Sequence, residues 1–218
     1  MIIAIDGPAG SGKSSVAKMI ALRLRFKHID TGAMYRAVAW KAGEMGLDLA
    51  DADAVAAMAG KLDIKLLPGE AGQRILVDGE DVTARLKTEA VGKGAATVAA
   101  QARVREILVA KQRDIGKTGG VVMDGRDIGT VVFPQADRKF FLDADPRERG
   151  RRRYEELKTA HPRVDLEAVI QQVVERDRED RNRAVSPLKQ ADDAVLVDTT
   201  HLAIEEVVQK MIDLIQPP

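Results

Sequence analysis

The 218-residue sequence predicts an α/β fold: a five-stranded parallel sheet with helices on both faces, a small inserted antiparallel β lobe and an arginine-rich lid. Three observations predict it. Five short apolar runs, Ile2–Ile5, Phe26–Ile29, Val121–Met123, Arg138–Leu142 and Ala194–Val197, alternate with stretches of helical periodicity, as strands buried on both faces do. A glycine-rich stretch, Gly7 to Ser14, follows the first run and leads straight into a helical pattern. From Asp63 the pattern changes to short alternating runs joined by Pro68-Gly69 and Asp78-Gly79, which read as antiparallel strands foreign to a parallel series.

Each element has its own reason. A helix is expected from Ser15 to about Arg25 and another from Ala33 to about Glu44, where Met34, Val38 and Trp40 fall at helical spacing, with Trp40 a core residue. Asp51 to Leu62 is rich in alanine and opens on a capping aspartate. Asp63 to Ala99 is read as the inserted lobe, with its own small sheet and a flanking helix. Ala102 to Ile115 is a strong helix that Gly116 to Gly120 ends. Helices then follow at Pro146 to Lys158, Leu166 to Arg181 and Ile204 to Ile215. The expected division is a core of residues 1–62 and 100–218, carrying a lid at about 147–187, with the lobe at 63–99.

Composition narrows the function. Acidic and basic residues balance at 34 each, so net charge gives no reason to expect nucleic acid, although arginine clusters in the C-terminal half. The chain has no cysteine, which removes disulfides, thiol nucleophiles and cysteine zinc sites and is compatible with a reducing cytosol. The first residues read as a strand running into the glycine loop, with no basic n-region and no long apolar run. A cytoplasmic protein with no membrane or nucleic-acid partner is therefore expected, and it is taken as a monomer.

The glycine stretch Gly7-Pro8-Ala9-Gly10-Ser11-Gly12-Lys13-Ser14 fits G-x-x-x-x-G-K-[ST]. In that motif the glycines let backbone N–H groups converge on phosphate oxygens, and the helix N-terminus adds its dipole. Lys13 can then reach the outer phosphates and Ser14 can ligate Mg²⁺. In parallel sheets ligands bind beyond the carboxyl ends of the strands, so Asp30 to Arg36, Asp124 to Asp127 and Asp143 should converge on the same cleft. Arg36 and Arg126 there make a monophosphate grip, and Asp124 has the position of an acidic residue that helps hold Mg²⁺. Arg176, Asp180 and Arg183 stand at i, i+4 and i+7, on one helical face. For most other arginines in Arg147–Arg153 and Arg176–Arg183 the plain alternative is a solvated face laced by i,i+3 and i,i+4 pairs; the functional one is a lid over a transferring phosphate. His28, His161 and His201 show no partner spacing and receive no role.

With those residues in hand the chain resembles the bacterial type of cytidylate kinase, a nucleoside monophosphate kinase family. The resemblance rests on Asp6 to Ser14, on Asp30-Thr31-Gly32-Ala33-Met34-Tyr35-Arg36, on Asp124-Gly125-Arg126-Asp127 running to Pro134, and on Arg176 to Arg183. The inserted lobe matches as well. It implies an enzyme that moves the γ-phosphoryl group of ATP to CMP or dCMP with Mg²⁺. Lys13, Arg126 and Asp124 then serve the transfer, and ATP meets Gly7, Pro8, Ala9, Gly10, Ser11, Gly12, Lys13, Ser14, Ser15 and Arg153. Arg36, Arg126 and Arg183 face the CMP phosphate, Arg176 and Asp180 the ribose side, Arg105 and Asp127 the cytosine, and Thr31 stands where the family has serine or threonine. At Ala96 some relatives carry a serine expected to contact the base, which implies looser base discrimination here. Two alternatives stay open: a kinase for UMP or AMP, and a regulatory ATPase, which leaves Arg36 and Arg126 unexplained and lacks a guanine-reading Asn-Lys-x-Asp segment.

Overall fold

The computed structural model describes residues 1–69, 72–159 and 163–215. His161 lies outside these residues. The order of elements is β1 (Ile2–Asp6), α1 (Lys13–Leu24), β2 (Lys27–Asp30), α2 (Thr31–Glu44), α3 (Ala52–Lys61), β3 (Ile64–Leu67), β4 (Arg74–Val77), β5 (Glu80–Asp81), α4 (Glu89–Ala99), α5 (Ala102–Gly116), β6 (Val121–Gly125), β7 (Arg138–Asp143), α6 (Pro146–Lys158), α7 (Leu166–Asn182), β8 (Val195–Asp198) and α8 (Ile204–Ile215). The main sheet runs β2-β6-β1-β7-β8, parallel throughout, and β3-β4-β5 form a separate antiparallel sheet.

Strand alternation divides the core between the two faces of the sheet. Ile3, Ile5, Val122, Phe140 and Leu142 point to one side, where Val16 and Ile20 of α1 and Val208 and Met211 of α8 cover them. Ala4, Ile29 and Met123 point to the other, against Val109 of α5 and Ile128. Each large aliphatic side chain so buried contributes about 1.5–3 kcal/mol. The small sheet does not stand apart from the rest: Ile64, Ile75 and Val77 share one apolar cluster with α2, α3, α4 and α5.

The same alternation aims the polar strand ends. Asp124, two residues after Val122, faces α1, whereas Asp6, two residues after Ala4, faces away from it. Gly7 then turns the chain with φ of 147°, and a Cβ there would lie 2.0 Å from the carbonyl oxygen of Leu142 on β7. Only glycine lets the chain leave the sheet at this point.

Helix α1 begins at Lys13, two residues earlier than the periodicity suggests. Its N-cap, Gly12, has φ of 86° and offers no side chain, whereas aspartates or a threonine cap α2, α3, α4, α6 and α7. Helix α7 ends at Asn182, so Arg183 is not on the helix but follows it in extended conformation.

Candidate active site

The phosphate loop packs against α6, where a Cβ on Gly10 would come within 2.9 Å of the carbonyl oxygen of Arg149. Arg149 stands in the run Arg147–Arg153, for which the sequence offers a solvated face or a lid; it is neither, being 2% exposed and a structural bolt. Its guanidinium donates to the carbonyls of Ala144 at 2.8 Å and Ala9 at 3.1 Å and pairs with Asp177 at 2.5 Å. Arg149→Met leaves that buried carboxylate without its counterion and is expected to cost about 3–5 kcal/mol. Thermal denaturation should read a drop of roughly 10 °C, and an unchanged melting temperature would contradict the assigned role.

Lys13 is buried and donates to the Pro8 carbonyl at 2.6 Å. Burial, then the nearby Arg126 guanidinium, pull its pKa down to about 7, against the opposing pull of Asp124 and Asp180. Ser14 stands on the exposed first turn of α1 with Ser15 beside it, and its Oγ donates to Oδ2 of Asp124 at 2.6 Å. The other carboxylate oxygen, Oδ1, lies 2.7 Å from Nε2 of His28. Burial alone would raise the Asp124 carboxyl, but the bonds from His28 and Ser14 and the charge of Lys13 hold it below its usual range. The His28 imidazole is raised in turn, because the bond and charge of Asp124 outweigh burial. Spacing along the chain gives His28 no partner; in the structure it has one, Asp124. The contact depends on β2 pairing with β6 in a register that sets Asp30 beside Asp124, a pairing with no local signal. Thr31 reaches the same strand end, donating from Oγ1 to the Asp124 carbonyl at 2.8 Å.

Across the cleft the arginines gather around carboxylates of the protein's own. Arg36 pairs with Asp30 at 2.6 Å, and Arg126 donates from Nε to Asp180 at 2.8 Å. Asp180 also lies 3.9 Å from Arg183, which sits at the same distance from Asp127. Asp127 is paired with Arg105, whose guanidinium lies over the Tyr35 ring at 5.3 Å. Some guanidinium nitrogens of this cluster are left over: Nε of Arg105, Nε of Arg176 and Nη2 of Arg183 are buried without a hydrogen-bond partner. Burial, then the Arg126 guanidinium, push the Arg176 pKa down to about 10 against the pull of Asp180, with Arg36 and Arg153 adding to the fall. Arg153 itself pairs with Glu156 at the surface.

A cleft of about 620 Å³ joins the two halves, with Ala9, Gly10, Ala96, Arg153, Arg176 and Asp180 in its wall. Widely separated segments therefore meet at one strand-end crevice, with an open helix N-terminus on one side and clustered guanidinium groups on the other. Of the remaining arginines of α6 and α7, Arg151 pairs with Glu148 and Arg178 with Glu175 at i,i+3, as the solvated-face alternative has it, while Arg147 pairs with Glu167 between the two helices and Arg181 with Asp143; Arg152 is half-buried, pairing with Glu148 and donating to the hydroxyl and carbonyl of Thr199.

Comparison with known proteins bears directly on this arrangement. The family model described as cytidylate kinase matches residues 3–217. The chain belongs to the cytidylate kinase family. It is 50% identical to a cytidylate kinase of Geobacter sp. (strain M21) over 97% of this chain and 91% of that one. It is 49% identical to that of Carboxydothermus hydrogenoformans over 99% and 97%. Among solved structures it is similar in fold to a shikimate kinase from Bacteroides thetaiotaomicron, with a TM-score of 0.51 at 14% identity over 99% of this chain and 98% of that one. The α/β sheet read from the sequence is thus a cytidylate kinase fold, with its small antiparallel sheet in place. Among the described residues no helix is long and apolar enough to cross a membrane.

A metal fits this site in a specific way. Among the described residues no group of three or more acidic or histidine side chains can hold an ion alone. One hydroxyl and one carboxylate, Ser14 and Asp124, meet at 2.6 Å beside the open end of α1. Such a partial set of hard oxygen donors suits Mg²⁺, which commonly takes its other ligands from water and substrate phosphates.

Proposed function

We propose that the chain transfers the γ-phosphoryl group of ATP to CMP or dCMP, giving ADP and CDP or dCDP. The observation that carries the reading is the crowding of Arg126, Arg36 and Arg153 around Arg176, whose buried Nε has no partner. An oxygen of a bound nucleotide supplies what that Nε lacks, and the surrounding guanidinium groups, with their planar forks, suit its phosphate.

The phosphate loop, residues Gly7 to Ser14 with Ser15, receives ATP, and Arg153 approaches it from the lid at about 147–187. Arg36, Arg126 and Arg183 hold the CMP phosphate, Arg176 and Asp180 meet the ribose side, and Thr31 lines the same wall. The lobe at 63–99 closes the acceptor side. Ser14 and Asp124 would hold Mg²⁺, which supplies charge neutralisation and orients the triphosphate when bound. An oxygen of the CMP phosphate attacks the γ-phosphorus in line as the bond to the β-bridging oxygen breaks. The acceptor is already anionic, so positioning and electrostatics supply the catalysis, with Lys13 and Arg126 neutralising the moving group.

Base choice follows from the Arg105–Asp127 pair. A carboxylate beside a guanidinium presents an acceptor next to a donor, whereas cytosine presents a donor, N4, next to an acceptor, N3. Uracil presents the reverse. A coupled ADP-release assay with ATP across CMP, dCMP, UMP and AMP is expected to show the fastest turnover with CMP and dCMP. Faster turnover of UMP or AMP, or ADP release without any acceptor, would overturn the reading. In Asp127→Ala the ratio of kcat/KM for CMP over UMP should fall by about tenfold or more.

A further inference from the structure

The segment that carries Arg126 and Asp127 leaves β6 at Gly125 and winds at once into a single wide helical turn, Ile128–Val132. Asp127 stands at the N-cap of that turn. An aspartate there ordinarily folds its carboxylate back onto the N–H groups that open the turn. Asp127 makes no such bond. Those N–H groups are taken by a side chain from another strand: Ile128 N donates to Oδ1 of Asp6 at 2.7 Å, and Gly129 N donates to Oδ2 of Asp6 at 2.7 Å. Asp6 is 4% exposed, faces this side of the sheet, and immediately precedes the phosphate loop.

We propose that Asp6 caps the turn in place of Asp127, and so leaves the Asp127 carboxylate free to face Arg105, Arg183 and the incoming base. Asp6 is a positioning residue: it touches neither nucleotide and acts on base selection through Asp127. The geometry explains why an ionisable side chain is kept in the core between two sheet strands, where burial pushes its pKa up to about 7 despite the two backbone donors. Removing the carboxylate frees two buried N–H groups, and Asp127, at the N-cap of the same turn, carries the acceptor that an N-cap residue ordinarily offers them. The base reader would then be drawn back onto its own turn.

This inference rests on the reading of Asp127 as the base reader, and a double-mutant cycle separates the two. With CMP and UMP as competing acceptors, Asp6→Asn is expected to lower the CMP-over-UMP ratio of kcat/KM by about tenfold, because one acceptor oxygen cannot serve both N–H groups. Asp127→Ala should lower it as much or more, and the double variant no further than Asp127→Ala. If Asp127→Ala leaves the ratio unchanged, the base reading fails. If Asp127→Ala lowers the ratio but Asp6→Asn does not, or if the two effects add, the role given to Asp6 fails. A purely structural role would lower the yield of active enzyme without moving the ratio. Should Asp6→Asn not fold, amide hydrogen exchange on the wild-type protein decides: Ile128 and Gly129 are expected to be protected as a pair, and exchange at the rate of an open loop would overturn the proposal.

Discussion

Lys13→Met is expected to lower kcat by at least about 10³-fold while leaving CMP binding nearly unchanged, as measured by single-turnover kinetics and by CMP titration. The reason lies in the separation of the two sides of the cleft. Lys13 sits at the glycine loop and donates within it, to Pro8, whereas the acceptor arginines are carried by α2, α7 and the segment after β6. Methionine keeps the volume of the side chain and removes only the charge. Turnover at the wild-type rate would refute the place given to Lys13. A second readout tests the same residue without chemistry. With a pKa of about 7 in the free protein, Lys13 is about half protonated at pH 7, and a triphosphate beside it must raise that pKa. Binding of ATP at pH 7 should therefore take up roughly half a proton, and binding at pH 5 none through this group. Calorimetry in buffers of different ionisation enthalpy measures the uptake, which Lys13→Met should lower by about that half proton.

Arg126→Ala should reduce kcat/KM for CMP by about 10²–10³-fold. It removes a phosphate ligand and also strands Asp180, whose side chain is 13% exposed and accepts from Arg126 at 2.8 Å. Arg126→Lys restores the charge but not the planar fork, so it should recover only part of the loss. The pH dependence of stability gives a further handle. Burial pushes the Asp180 carboxyl up, but Arg126, with Arg176 and Arg183, holds it below its usual range. A carboxylate so depressed stabilises the fold above its unfolded pKa and loses that contribution as pH falls through the folded value. Urea midpoints taken across the acid range should therefore fall less steeply in Arg126→Ala than in the wild type. Identical acid limbs would mean that Arg126 is not the partner that matters to Asp180.

Much of this site can be read in one dimension because its parts are local. The phosphate loop is eight consecutive residues, and the segments Asp30 to Arg36, Asp124 to Asp127 and Arg176 to Arg183 each carry their residue types at fixed spacing. What the linear order leaves out is pairing between strands. His28 reaches Asp124 only because β2 adds to β6 in parallel register, and Asp6 reaches the turn after β6 only because β1 lies between β6 and β7. Arg149 shows the opposite error. It sits in a run that looks like a uniform basic face, yet its neighbour Arg151 pairs with Glu148 toward solvent while Arg149 turns inward to Asp177 and the carbonyls of Ala9 and Ala144. Helical spacing marks which residues share a face, and only packing against α7 and the phosphate loop selects the face that is buried.

The sequence by itself determined the alternation of strands and helices, the antiparallel insert, the phosphate cradle and the family, since each is written in short-range periodicity or in contiguous motifs. The tertiary structure alone decided which carboxylate answers which arginine. Asp124 with His28 and Ser14, Asp180 with Arg126, and Asp6 with Ile128 and Gly129 are contacts between residues 54 to 123 positions apart. The physical reason is that charge and hydrogen-bond complementarity act through space over a few ångströms, and a chain reveals which of its many acids and bases come that close only after the sheet order is set.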